Sequence, residues 1–184
     1  GPDRVKPGDV IIAMGSSGLH SNGYSLARTV LLEIDRMNLE GYVEEFGRTL
    51  GEELLEPTRI YAKDCLALAA ETHVRTFCHV TGGGLAANLA RVIPHGLVAE
   101  LDRGTWTPAP VFAMIAQRGR VRRDEMEKTF NMGVGMIAIV APEDTDRALA
   151  ILTARHLGCW VLGTVGKGGK AGPRAKLVGQ HPRF

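Results

Sequence analysis

The chain is poor in cysteine, in aromatic residues and in uncompensated charge, and these shortages exclude several classes of protein. Its three cysteines, Cys65, Cys78 and Cys159, are scattered and have no metal-ligand spacing, so neither a disulfide framework nor a cysteine metal site is expected. A cytoplasmic location is the simplest interpretation. The net charge of +2 over 184 residues does not favour a nucleic-acid partner or an anionic membrane surface.

Several familiar motifs are also missing. No apolar run is long enough to cross a bilayer. There is no P-loop with its glycine–lysine pair and no GxGxxG dinucleotide fingerprint. No Ser–His–Asp order or metal-ligand cluster stands out, so no metal site is predicted. What remains is 45% hydrophobic and 23% charged, which is typical of one globular domain with a real core.

The hydrophobic pattern alternates between strand and helix. Strands are predicted at 9–14, 76–80, 97–101, 133–141 and 160–165, and helices at 24–36, 57–71, 85–92, 110–117, 122–129 and from Asp144 onward. Residues 38–55 read as a connection with weak helix. The alternation favours an α/β or α+β fold, a mixed sheet flanked by helices. We expect one domain over residues 1–166, followed by an extended tail over 167–184 that is rich in Gly, Lys and Pro.

A polar loop of small residues follows the first strand and leads into a helix. Such a loop can aim backbone N–H groups and hydroxyls at an anion, with the positive end of the helix dipole behind it. Redundant capping hydroxyls are the alternative, but capping explains only one Ser or Asn of the loop. We therefore predict ligand contacts from Ser16, Ser17, Gly18, His20, Ser21, Asn22 and Gly23.

His20 is the one histidine in a candidate loop, and it is the candidate catalytic residue. It could contact phosphate or move a proton. A hydrogen bond that merely organises the loop is an equally good interpretation of the sequence.

Two further segments have a related design. Thr81, Gly82, Gly83 and Gly84 follow another strand, where the missing Cβ atoms allow a ligand to approach the backbone. Asn131 and Gly133 lie at the start of the strand at 133–141 and are a third candidate, although taken alone a tight turn into a buried strand is the better interpretation. The loops after the two strands could share one edge of the sheet. Glu100 and Asp102 could hold magnesium, but a solvated strand end is the better interpretation.

Four runs, in this order along the chain, resemble the second half of the phosphoribosylformylglycinamidine cyclo-ligase family, also called aminoimidazole ribonucleotide synthetases. They are Gly8–Val10 with Ser16–Ser25, then Glu56–Tyr61, His79–Leu85 and Thr129–Met136. The runs span nearly the whole chain, which makes the match specific.

The resemblance implies a role in purine synthesis. The family converts formylglycinamidine ribonucleotide and ATP into aminoimidazole ribonucleotide, ADP and phosphate. It also implies that ATP and magnesium are bound mostly by an N-terminal half that has no counterpart here, and that the full-length parent is a homodimer. The expected partners are therefore the substrate and the parent's own N-terminal domain. We expect this chain to be the C-terminal domain and to be inactive alone.

Two alternatives remain open. One is a relative of the same architecture with another substrate, such as formylglycinamidine ribonucleotide synthase, selenophosphate synthetase, thiamine-phosphate kinase or a hydrogenase maturation factor. The complete runs His20–Tyr24 and Phe130–Gly133 favour the cyclo-ligase over these. The other is a non-catalytic module that binds a phosphorylated metabolite.

Overall fold

The computed structural model describes all residues from 1 to 184, and its centre is a six-stranded mixed sheet. The strands are β1 (Val10–Gly15), β4 (Val74–His79), β5 (Leu97–Asp102), β6 (Val134–Val140), β7 (Cys159–Lys167) and β8 (Ala175–Val178). They lie in the order β4-β6-β1-β7-β5-β8. Neighbours are antiparallel except for the parallel pair of β5 and β8. A separate hairpin joins β2 (Tyr42–Val43) to β3 (Arg48–Thr49).

Seven α-helices surround the sheet. They are α1 (Tyr24–Arg28), α2 (Leu50–Leu54), α3 (Ala62–Glu71), α4 (Gly84–Ala90), α5 (Pro110–Gly119), α6 (Arg123–Thr129) and α7 (Thr145–Ala154). The first helix continues as a π-helical turn over Thr29–Ile34. The mixed sheet flanked by helices, which the pattern of the sequence predicts, is confirmed.

The central strands are apolar throughout because both faces of the sheet are covered. Ile11 and Ala13 of β1 point into one core with α4, whereas Ile12 and Met14 point into a second core with α3 and α7. This is the period-two alternation of a strand. A third core joins α1, α2, α5 and α6 through residues such as Phe112.

Two segments differ from the prediction. The helix predicted to open at Pro57 begins at Ala62. Residues 56–61 instead run beside the loop after β1, where the Pro57 carbonyl accepts a hydrogen bond from the Ser17 hydroxyl. The connection at 38–55 holds the β2–β3 hairpin and α2. That helix starts at Thr49 with a capping box completed by Glu52.

The segment predicted as an extended tail contains β8, which pairs with the edge strand β5. Beyond it, the Gly179 carbonyl accepts a hydrogen bond of 3.2 Å from Arg103 Nη1. Residues 167–184 therefore include a strand of the sheet, and the end of the domain at residue 166 stays a prediction.

Candidate functional site

The topology places three predicted ligand loops at one edge of the sheet. β1 and β4 both run antiparallel to β6, which lies between them, so the loops after β1 and β4 meet the turn before β6. Backbone hydrogen bonds of 2.9 Å join Ser16 N to Gly133 O and Val80 N to Gly135 O.

Side chains tie the three loops together. Asn131 is 1% exposed. Its amide nitrogen donates to the Gly18 carbonyl over 2.9 Å, and its amide oxygen accepts from Gly133 N over 2.8 Å. A Cβ placed on Gly82 would lie 3.5 Å from Asn22 Oδ1, so the first two loops are neighbours. Asn131 thus acts as the clamp between loops, with both ends of its amide used.

A fourth segment, residues 56–61, borders the site. Ser17 Oγ donates to the Pro57 carbonyl over 2.7 Å, and the hydroxyls of Ser21 and Thr58 lie 3.1 Å apart. Tyr61 Oη donates to the Gly15 carbonyl over 2.7 Å. Reasoning from the residues alone misses this segment, and the signal that could have located it is the second run of the family resemblance, Glu56–Tyr61.

His20 is buried, and its hydrogen bonding fixes its tautomer. Ser17 N–H donates to His20 Nε2 over 3.1 Å, so the ring proton lies on Nδ1. Nδ1 is itself buried and has no partner. Burial, followed by the nearby charges of His79 and Arg59, lowers the pKa of His20 to about 4. The imidazole is therefore neutral at pH 7 and offers an N–H donor.

Tyr61 lies between two histidines. Its ring centroid is 6.1 Å from that of His20 and 6.4 Å from that of His79. Burial raises the pKa of Tyr61, so its hydroxyl stays protonated. The close packing depends on Gly135, where a Cβ would lie 2.0 Å from Tyr61 Oη and 2.6 Å from His20 Cε1.

The loops leave many donors free. The backbone N–H groups of residues 18–23, and those of Gly82 and Gly83, make no hydrogen bond within the protein. Arg59 is half-buried beside His20 and forms no ion pair within the chain. Free donors next to an uncompensated cation are what an anion such as phosphate requires.

Other predicted site residues have structural partners. A Cβ on Gly23 would lie 2.2 Å from the Phe130 ring, and one on Gly84 would lie 1.7 Å from the Glu127 carbonyl oxygen. Thr81 Oγ1 donates to Asn88 Oδ1 over 3.1 Å. These three residues shape the loops through packing. Of the alternative magnesium pair, Glu100 pairs with Lys176 at 2.8 Å and Asp102 accepts from Gly104 N.

Two general features of the chain bear on its ligands. No group of three or more His, Cys, Asp or Glu side chains has the geometry to hold a metal ion. No helix combines the length and the apolar composition needed to cross a membrane.

The fold and the loop cluster together define a mixed-sheet domain, covered on both faces, whose unbonded backbone N–H groups gather at one edge of the sheet. Residues 6–176 match the family described as "AIR synthase related protein, C-terminal domain". The chain belongs to this family. The sequence resemblance is thereby confirmed at the level of the family.

Several similar proteins carry the name of the cyclo-ligase. A Streptomyces fradiae protein provisionally named phosphoribosylformylglycinamidine cyclo-ligase is 59% identical over 174 residues, which is 95% of this chain and 96% of that protein. The cyclo-ligase of Anaeromyxobacter sp. (strain K) is 49% identical over 176 residues, 95% of this chain and 50% of the relative. The chain therefore spans nearly all of the first relative and about half the length of the second.

Solved structures of lower identity share the fold. Thiamine-monophosphate kinase from Stenotrophomonas maltophilia is 19% identical, with a TM-score of 0.63 over 97% of this chain and 52% of the kinase. The hydrogenase maturation protein HypE of E. coli is 17% identical, with a TM-score of 0.60 over 97% of this chain and 49% of HypE. At these identities the likeness concerns the architecture alone.

Proposed function

We propose that this chain is the substrate-holding C-terminal domain of an ATP-dependent cyclo-ligase that closes the imidazole ring of formylglycinamidine ribonucleotide. The products would be aminoimidazole ribonucleotide, ADP and phosphate. The observation that carries the proposal is the cluster of free N–H donors in the loops at 18–23 and 82–83, beside the unpaired Arg59. The cyclo-ligase name of relatives up to 59% identical supports this choice of reaction.

In the proposed reaction the formyl-derived amide oxygen takes the γ-phosphoryl group of ATP, and ADP leaves. The neighbouring amidine nitrogen then attacks the activated carbon, a C–N bond forms, and the C–O bond to phosphate breaks. The rate of such a cyclisation depends on holding the chain of the substrate in a reactive geometry. The loops would grip the ribose phosphate at one end of the substrate and so set the position of the other end.

His20 has a specific part in this proposal. Because its Nε2 accepts from Ser17 and its pKa is about 4, it has no proton to give from an imidazolium at pH 7. Its Nδ1–H is the available group. We assign His20 the role of a neutral hydrogen-bond donor to a ligand oxygen, and this replaces the proton-transfer role left open by the sequence.

ATP and magnesium would be held mostly by an N-terminal half of the kind found in the longer relatives. That half is the proposed partner of this domain, and the full-length protein would be a homodimer in the cytoplasm. The isolated domain would bind substrate without turning it over.

The test is a calorimetric titration of the chain with formylglycinamidine ribonucleotide, with and without ATP and magnesium. We expect saturable binding without nucleotide. Arg59→Gln should weaken it by about tenfold or more, since charge-assisted hydrogen bonds contribute about 1.5–3 kcal/mol. Lys63→Gln is the matched control, because Lys63 is exposed on α3, just beyond the site segment.

Two results would contradict the proposal. Equal affinity of the wild type and Arg59→Gln would remove Arg59 from the site. If formylglycinamidine ribonucleotide does not bind to the chain but ribose 5-phosphate or another phosphorylated metabolite binds tightly, the result would favour a non-catalytic binding module. Adding the N-terminal half of the Anaeromyxobacter relative should restore product formation if the cyclo-ligase assignment is correct.

A further inference from the structure

A polar cavity lies away from the loop cluster, between the end of β5, α6 and the C-terminal segment. Its volume is about 620 Å³, within the range of small-molecule sites. Seven of its eight lining residues are polar or charged, and they include Arg103, Arg122 and Arg123. The cavity contains none of the residues of the proposed substrate site.

The three arginines differ in how far their charge is compensated. Arg103 is buried and forms a two-point ion pair with Glu127, at 2.6 and 2.9 Å, so it belongs to the frame of the cavity. Arg122 pairs with Asp124, but these side chains are 82% and 51% exposed, and such pairs contribute little. Arg123 donates to the neutral amide oxygen of Gln180 and has no acidic partner. The cavity therefore contains three arginines and two carboxylates, and Arg123 is the arginine without a carboxylate partner.

The histidine in the cavity wall is incompletely bonded. His181 Nδ1 lies 3.1 Å from the Arg103 carbonyl and 3.2 Å from the Trp106 carbonyl, so Nδ1 must be the donor. Nε2 then carries the lone pair, is buried, and has no partner. A buried acceptor without a donor costs free energy, which a hydroxyl of a bound molecule would recover.

The cavity is also held in shape by the fold. The Trp106 ring packs against His181 with centroids 4.5 Å apart, and Trp106 Nε1 donates to the Met132 carbonyl. Gln180 follows β8 and the Gly179 turn that Arg103 binds. The C-terminal segment is therefore positioned by the sheet, and it brings an amide and an imidazole to two arginines.

We propose that this cavity is a second anion site, which takes a small phosphate-bearing molecule between Arg122 and Arg123. The guanidinium groups match phosphate oxygens in pairs of hydrogen bonds. A hydroxyl of the same molecule, or the P–OH of a phosphate monoanion, donates to His181 Nε2. The Gln180 amide oxygen leaves Arg123 when the anion arrives.

The experiment is a residue-resolved NMR titration of the 184-residue chain with inorganic phosphate and then pyrophosphate, against sodium chloride of equal ionic strength. Saturable shifts at Gln180, His181 and Arg123 are expected, and pyrophosphate should bind more tightly than phosphate. Arg123→Gln should weaken the binding at these signals by roughly tenfold or more. Signals of the loops at 16–23 and 81–84 report the other site separately in the same spectra.

The matched control is Arg147→Gln, which removes the same charge from an exposed ion pair with Glu71 between α3 and α7. It should leave the affinity at Gln180 and His181 unchanged. The proposal is overturned if these signals do not saturate with phosphate or pyrophosphate. It is also overturned if Arg123→Gln and Arg147→Gln titrate alike, because binding would then follow net charge alone.

Discussion

At the scale of single residues, His20 has a backbone conformation that is unfavourable for a residue with a side chain. Its φ is +58°, in the left-handed region that most side chains avoid. The strain is compensated by burial and by the hydrogen bond from Ser17 N to Nε2. The backbone of the loop is thereby fixed at the point where the free N–H groups begin.

Burial of a neutral His20 makes the stability of the domain depend on pH. The folded pKa of about 4 lies below the ordinary value of 6.5, so the unfolded chain takes up a proton first as the pH falls. The stabilisation is complete above pH 6.5 and decreases as the pH falls from 6.5 to 4. Through His20 alone, the free energy of unfolding should decrease by about 2 kcal/mol between pH 7 and pH 5.

Urea unfolding at the two pH values measures this loss in the wild type and in His20→Asn. Asparagine is the matched substitute because it tolerates a positive φ and keeps a polar group near Nδ1. The variant should lose much less free energy of unfolding than the wild type between pH 7 and pH 5. Identical pH dependence in both proteins would mean that His20 is already protonated, or solvated, in the fold.

Gly135 is the residue that lets His20 and Tyr61 pack against β6. In Gly135→Ala the new methyl group would meet Tyr61 Oη and His20 Cε1. We expect a loss of about 2 kcal/mol or more, with weaker substrate binding, because both side chains are buried and cannot swing away. Gly166→Ala in β7 is the control, since no atom lies within 4 Å of its Cβ. A change in stability no larger than that of the control would contradict the packing argument.

At the scale of elements, the glycine loop before α4 combines two tasks in adjacent residues. Gly83 has a φ of +94°, and its Cβ position is open apart from a contact of 3.8 Å with Ala87. Gly84 has a φ of +80°, and its Cβ position coincides with the backbone of α6. The first glycine lies at the proposed ligand edge, where its Cβ position is open, and the second allows α4 and α6 to pack closely.

Alanine at each position separates these tasks. Gly83→Ala should cost about 1 kcal/mol through its backbone and should weaken substrate binding. Gly84→Ala should cost about 3 kcal/mol or more, because a backbone carbonyl cannot rotate out of the way. Thermal unfolding and substrate titration on both variants provide the check. A Gly84→Ala protein as stable as Gly83→Ala would show that α6 can move freely from α4.

The elements also show what could be predicted from the sequence. Strong local periodicity located β1, β5 and β6 within a residue or two at each end, and the loops after β1 and β4 share one edge of the sheet, as the sequence suggested. The helix start predicted at Pro57 was wrong because the Pro57 carbonyl accepts a hydrogen bond from Ser17, which lies 40 residues earlier in the chain. The burial of Gly84 against Glu127 was equally hidden, since no local pattern reports which helix packs on which.

At the scale of the whole molecule, the C-terminal strand β8 completes one edge of the sheet and leads into the segment that lines the second proposed anion site. β5 is bordered on one side by β7 and on the other by β8, so the last strand closes the edge. The buried pair of Arg103 and Glu127 then fastens the end of β5 to α6, next to the glycine loop. The sequence predicts that the domain ends at residue 166, and removal of the edge strand β8 tests this prediction directly.

Truncation after Lys167 removes β8 and the segment that Arg103 and Trp106 hold. We expect a loss of about 2 kcal/mol or more, since a row of hydrogen bonds to β5 disappears and Leu101 and Ala99 lose their cover. Truncation after Gly179, which keeps the strand, is the matched control and should cost much less. Urea unfolding compares the three proteins. If the shorter chain unfolds at the same urea concentration as the full chain, residues 168–184 are an appendage, and the domain ends where the sequence pattern suggested. If instead it loses stability while the control does not, the folded unit extends through β8.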